Sequence, residues 1–224
     1  MYSKIKNIAI VGYGNIAKKH LRILLKLLPS SNFFVVSNRE HKGRIKKIKF
    51  LKKISNLEKI SIDLALICSP ANKHFSDFLF FYKKKSNILI EKPLTKDVLE
   101  TKKIIKYSKN YKKIIEVGYV LRHTNSGKKL KKLLDRRAIG KILEVQIVCD
   151  SYLPYWRSNR NYKKTVSANK KLGGGVLLEL SHEIDYMLWF FDYTKKVFAT
   201  FSQKKILKTN VEEATNIFFY QKKN

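Results

Sequence analysis

From Ile5 the chain reads IKNIAIV, a short β-branched apolar run that stops at Gly12. A parallel strand buried on both faces has this form. Apolar positions then space out at Ile16, Leu21, Leu24, Leu25 and Leu28, ahead of Pro29, which predicts a helix over 16–28. The two patterns keep alternating. NFFVVSN (32–38), IDLALICS (62–69), NILIE (87–91) and KIIEVGY (113–119) read as strands. HFSDFLFFY and the stretch from Thr95 to Lys109 read as helices, with Thr95 and Asp97 offering capping chemistry at the second. Repeated βα units predict an α/β fold: an open, doubly wound parallel sheet with helices on both faces.

Past Leu121 the pattern changes. A basic helix is predicted over 127–137, with an apolar stripe at Leu130, Leu133 and Leu134 and Gly140 beyond it. In 141–152 Leu143, Val145, Ile147 and Cys149 alternate with polar neighbours, the signature of a half-exposed strand. An aromatic, polar loop follows, then Gly173–Gly175 running into a helix, and two strand candidates, 196–203 and 213–221. The expected organisation is a doubly wound α/β domain over 1–121 and a second α/β (α+β) domain over 122–224 with an open, mainly antiparallel sheet.

Composition narrows the class. At 224 residues, 44% hydrophobic and 12% aromatic, the chain is that of a globular protein. The formal net charge of +31 raises the question of nucleic acid. The lysines are spread along the whole length and accompany many Ile, Asn, Phe and Tyr, as an AT-rich coding sequence produces. No nucleic-acid-binding motif goes with them, so no specific nucleic-acid partner is expected. Cys68 and Cys149 form no disulfide framework. No signal-peptide layout or membrane-length apolar run is present, so a cytoplasmic protein without a membrane partner is expected.

Candidate chemistry lies at the strand ends. Gly12-x-Gly14-x-x-Ala17 stands between a strand and a helix that Asn15 and Ile16 open. Gly12 permits a tight turn, Gly14 lets the backbone approach a pyrophosphate, and Ala17 allows close packing, with the helix N-terminus facing the anion. An NAD site usually carries an acid at the end of the second strand. Here the chain reads Ser37-Asn38-Arg39-Glu40: Ser37 and Arg39 suit a 2′-phosphate and favour NADP slightly, while Glu40 keeps NAD open. Lys92 precedes Pro93 just past a strand end, which suits either a turn residue or a lysine fixed in direction for chemistry. His182 has Glu179 and Asp185 three residues to either side, on one face of a helix, as a surface histidine paired with acids or a site histidine would. No second cluster completes a metal site, and no metal is expected.

Taken in order, VGYGNIAKKH, CSPANKH, IEKP, VGYVLRH and GGGVLLELSHEIDYM resemble the glucose-fructose oxidoreductase / inositol dehydrogenase / MocA (Gfo/Idh/MocA) family across residues 8 to 187. The resemblance implies a Rossmann domain, a substrate domain whose open sheet often carries a dimer contact, and NAD(P)-dependent chemistry on a sugar, sugar derivative or polyol. It implies that Lys92 lies beside the nicotinamide and that His182 is the acid/base, with Asp185 a nearby polar residue. It places Ser69, Pro70, Asn72, His74 and Glu91 around the cofactor, His74 being equally readable as a satisfied helix-start residue. Arg122 and His123 match the stretch that turns toward substrate. Tyr155, Trp156, Arg157 and Arg160 form a loop suited to a sugar face and an anionic group. The wording of that loop and of the glycine-rich helix resembles members encoded with surface-polysaccharide or nonulosonic-acid synthesis enzymes. One departure is that many members carry Asp four residues before the histidine, whereas Glu179 stands three before His182. The family generally continues through further strands, so the chain reads as C-terminally truncated, and a homo-oligomer is expected if its sheet is complete enough. The alternative is a non-catalytic dinucleotide-binding protein or a decayed gene product.

Overall fold

Six parallel strands, β1 (Asn7–Val11), β2 (Asn32–Val36), β3 (Ile48–Leu51), β4 (Leu64–Ile67), β5 (Asn87–Ile90) and β6 (Ile115–Val117), pair in the order β3-β2-β1-β4-β5-β6. The structure, a computed structural model, describes residues 5–38, 47–156, 160–202 and 206–220. β1 pairs with β2 in the register Ile8↔Phe33 and with β4 in the register Ile8↔Leu64. Connections leave β1 and β4 in opposite directions, and their carboxyl ends form the crevice where ligands of such sheets bind. β3 follows from no strand signal in the sequence. Its IKFL run is short and flanked by lysines, and among the described residues it pairs with β2 alone.

Strand alternation divides the core into two layers. Ile8 and Ile10 pack with Ala17 and Leu21 of α1 (Asn15–Leu27). Ala9 and Val11 pack on the other face with Phe78 and Phe81 of α2 (Ala71–Lys83) and Ile104 of α3 (Val98–Ser108). Both faces of β1 are buried, which is why its sequence is continuously apolar. Asp97 caps α3, its side chain accepting from the Glu100 N–H at 2.9 Å.

The chain divides into two compact units, 1–118 and 119–224. In the second, α4 (Asn125–Asp135) is capped by the Thr124 hydroxyl, which accepts from the Gly127 N–H. The predicted helix after the glycines is two: α5 (Val176–Glu179) and α6 (Ser181–Phe191), broken at Leu180. β7 (Lys196–Phe201) and β8 (Thr215–Tyr220) pair antiparallel in the register Val197↔Phe219. The expected strand over 141–152 is not formed. Among the described residues no strand pairs with it, and Leu143 is 90% exposed. Alternation is a sign of two-faced exposure and becomes a strand only with a hydrogen-bonded neighbour.

Candidate active site

In the first unit the candidate residues gather at the carboxyl ends of β1, β4 and β5. Gly12 takes φ +90, and its N–H donates to the Val36 carbonyl at 2.9 Å. A Cβ there would lie 2.5 Å from the Cys68 carbonyl oxygen, so this glycine is required by the approach of two strands. Gly14 differs: it caps α1 in ordinary extended backbone, and a Cβ there would meet nothing within 4 Å. The first turn of α1, with Asn15 and Ile16 exposed, has no acidic residue and no side-chain cap. Among the described residues no side chain caps its first N–H groups, and the open position at Gly14 beside them suits an anion. Ser37 follows β2, its N–H donating to the Leu51 carbonyl. Arg39 and Glu40 lie outside the described residues.

At the end of β4 the Ser69 hydroxyl donates to Asp77 at 2.6 Å, and Pro70 caps α2. Burial pushes the Asp77 carboxyl above its ordinary value, opposed by that hydrogen bond and by His74 and Lys73. Asn72 sits in the first turn of α2 with a buried Oδ1. His74 is 1% exposed; its Nδ1 lies 2.9 Å from the Pro93 carbonyl and its Nε2 2.8 Å from the Ser69 carbonyl. It therefore joins the turn after β4 to the turn after β5.

That second turn carries Lys92, half-buried, with a cis peptide to Pro93. Glu91, the residue before it, has its N–H on the Ile67 carbonyl and its carboxylate 2.6 Å from His20 Nε2 on α1. His20 is the neighbour of these residues that sequence reading misses. It closes the VGYGNIAKKH motif, yet its partner stands 71 residues away and no local pattern marks the pair.

In the second unit the glycine run is enclosed. A Cβ on Gly174 would run into the carbonyls of Val166 and Ser167, and Gly173 and Gly175 take positive φ. Glu212 anchors the turn, its carbonyl accepting from the Val176 N–H and its carboxylate from the Leu177 N–H. Because of the break at Leu180, Glu179 ends α5 while His182 and Asp185 lie on α6. The partly buried His182 ring packs edge-on against Tyr119, with centroids 5.7 Å apart. Burial pushes the Tyr119 phenol upward, opposed by the neighbouring Ser181 hydroxyl and Arg122. Arg122 and Asp185 are engaged with each other: Nε and Nη2 each donate to the carboxylate at 2.8 Å, and the guanidinium lies over the Trp189 ring. Trp156 lines a solvent-open cavity of about 440 Å³ with Ser151, Ser167, Glu179 and Glu212. Arg157 lies outside the described residues, and Arg160 is exposed.

A family profile described as an oxidoreductase family with NAD-binding Rossmann fold matches residues 6–119, and the GFO/IDH/MocA C-terminal domain profile matches 128–223. The chain belongs to the Gfo/Idh/MocA oxidoreductase family. It is 24% identical over 201 residues to the myo-inositol 2-dehydrogenase of Thermotoga maritima, covering 86% of this chain and 57% of that protein. It is likewise 24% identical over 194 residues to the inositol 2-dehydrogenase/D-chiro-inositol 3-dehydrogenase of Lacticaseibacillus casei, covering 83% and 53%. The chain thus spans about half the length of the curated relatives it matches. The WlbA dehydrogenase of Bordetella pertussis, solved with NADH and UDP-GlcNAcA, has the same fold at a TM-score of 0.79 and 16% identity, covering 96% of this chain and 63% of that one. The myo-inositol 2-dehydrogenase of Lactobacillus plantarum gives 0.78 at 19% identity, covering 96% and 66%. Among the described residues no helix is long and apolar enough to cross a membrane, and no group of three His, Cys, Asp or Glu could hold a metal.

Proposed function

We propose that this chain is an NAD(P)-dependent oxidoreductase acting on a sugar, sugar derivative or polyol. The observation that carries the reading is the uncapped N-terminus of α1 opening beside Gly14, on the same sheet edge as the Glu91-Lys92-Pro93 turn. Gly12 and Gly14 let the backbone approach the dinucleotide pyrophosphate, and the first-turn N–H groups receive it. Asn15 and Ile16 begin that helix; Ser69, Pro70, Asn72, His74 and Glu91 form and brace the turns around it. Bound there, the nicotinamide supplies the hydride acceptor or donor. The His182 imidazole takes or returns the proton of the reacting hydroxyl, helped by Lys92, whose Nζ–H donates a hydrogen bond to the same oxygen.

Arg122 and Asp185, read from the sequence as substrate contacts, spend their charges on one another. Their part in this reading is to hold α6, which carries His182, against the turn at 120–123. Trp156 offers an aromatic face for a sugar ring. Ser37, with Arg39 beyond the described residues, suits a 2′-phosphate and favours NADP slightly, while Glu40 keeps NAD open. The inositols in the names of the relatives above and the UDP-GlcNAcA bound in the WlbA dehydrogenase suggest the first substrate panel.

The test is reduction of NAD⁺ and NADP⁺ at 340 nm with inositols, nucleotide sugars and other polyols. Turnover is expected with at least one of them, falling about 100-fold or more in Lys92→Ala and in His182→Ala, the size of a lost acid–base contribution. Turnover that survives both substitutions unchanged contradicts the assigned roles.

A further inference from the structure

We propose that His20 is a positioning residue for Lys92, acting through Glu91. The inference rests on the dinucleotide reading of the first unit given above. His20 lies about 7.5 Å along the axis of α1 from the residue that opens it, at 1.5 Å per residue. The alternation of β5 aims Glu91 at this helix. Ile88 and Ile90 enter the core beneath α2 and α3, whereas Leu89 packs with the core beneath α1, and Glu91 continues on the Leu89 side.

The Glu91 carboxylate is confined on every side that matters to the turn. It accepts the His20 Nε2–H at 2.6 Å, and the backbone N–H of the same residue donates to Ile67 at 2.9 Å. Gly118, at the end of β6, lies against it so closely that a Cβ would sit 3.0 Å from Oε2. The side chains are 24% and 14% exposed, so water competes weakly for a charge-assisted hydrogen bond. On the far side of Lys92, His74 holds the Pro93 carbonyl at 2.9 Å and reaches the Leu94 carbonyl at 3.2 Å. Lys92 is thus bracketed by two histidines, one from each helix that opens at the crevice.

His20 is not one of the core residues of α1, which are Ala17 and Leu21. Its bond instead ties the helix that faces the pyrophosphate to the residue before Lys92. The direction of the lysine is then set by this strut.

Hydrogen exchange followed by mass spectrometry on the purified chain tests this in the absence of any nucleotide. In His20→Ala, exchange of the peptide covering 90–96 should rise at least fivefold while the β1 peptide is unchanged. His20→Gln, whose amide N–H reaches the Nε2 position, should return it to within twofold of the parent. Glu91→Gln, which keeps an acceptor but not the charge, should fall between. NADH affinity should drop about tenfold in His20→Ala, whereas ADP-ribose, which lacks the nicotinamide, should bind within twofold of the parent. Unchanged exchange at 90–96, a uniform rise in all peptides, failure of His20→Gln to rescue, or equal losses for both nucleotides would overturn the proposal. A parent chain that binds neither nucleotide would defeat the cofactor reading instead, with the exchange measurement still deciding the strut.

Discussion

Gly12 and Gly14 stand two residues apart in one turn, and the structure gives them opposite jobs that a pair of alanine substitutions separates. At Gly12 the backbone is left-handed, φ +90, a region that costs a residue with a Cβ about 1–2 kcal/mol. The new methyl would also press on backbone, 2.5 Å from the Cys68 carbonyl oxygen and 2.9 Å from the Ser69 nitrogen, and overpacking of this kind costs about 1–3 kcal/mol. Together Gly12→Ala should lose about 3 kcal/mol, which at roughly 3 °C per kcal/mol for a chain of this size lowers Tm by on the order of 10 °C. At Gly14 the backbone is extended and a Cβ has open space, so Gly14→Ala should lose no more than about 1 kcal/mol, the difference between Gly and Ala at a helix N-cap. That open space is where the pyrophosphate is proposed to lie, and a methyl there should weaken NADH binding at least about tenfold, or about 1.4 kcal/mol. Differential scanning fluorimetry reads the first effect and calorimetric titration the second. A Gly12→Ala protein that melts with the parent, or a Gly14→Ala protein that binds NADH as the parent does, refutes the division.

Other consequences can be measured alongside. Arg122→Ala leaves the Asp185 side chain, only 10% exposed, without its bidentate partner and should cost about 2–3 kcal/mol by thermal or urea unfolding, with Arg122→Lys recovering part of it. Asp77 is held above its ordinary carboxyl value by burial, so its folded form prefers the proton. Its contribution to stability is complete below the unfolded value and is lost as pH rises through the folded one. Asp77→Asn should therefore flatten the fall in Tm on going from pH 4 to 7, and an unchanged slope would contradict the assignment. Burial also pushes the Cys68 thiol far up, so at pH 8 iodoacetamide should label exposed Cys149 well before Cys68, as peptide mass mapping can show.

What the sequence shows of this protein follows from how far apart its determinants lie. β1, β2, β4 and β5 are short apolar runs closed by turn residues, and each was readable because the signal is local and both faces are buried. The Gly12–Gly14 turn was readable for the same reason, its spacing being set within one strand–turn–helix unit. β3 was not, since an edge strand flanked by lysines has no continuous apolar signature. The stretch over 141–152 misled in the other direction: alternation was present, but pairing is a property of the partner. His20 with Glu91 and Arg122 with Asp185 were invisible because each pair bridges more than sixty residues of sequence, 71 and 63. A histidine on a helix face or an arginine before a turn carries no mark of the carboxylate it will meet. The four-residue helix that ends at Leu180 likewise starts on Glu212, 35 residues on from Leu177, and continued periodicity would have merged it with the next.

The most direct measurement of the proposed chemistry is a calorimetric titration of the purified chain with NADH and NADPH. One nucleotide should bind per chain, with NADPH slightly the tighter of the two and with affinity reduced at least tenfold by Gly14→Ala. Absence of saturable binding by either nucleotide, or binding indifferent to Gly14→Ala, would contradict a dinucleotide site at the N-terminus of α1.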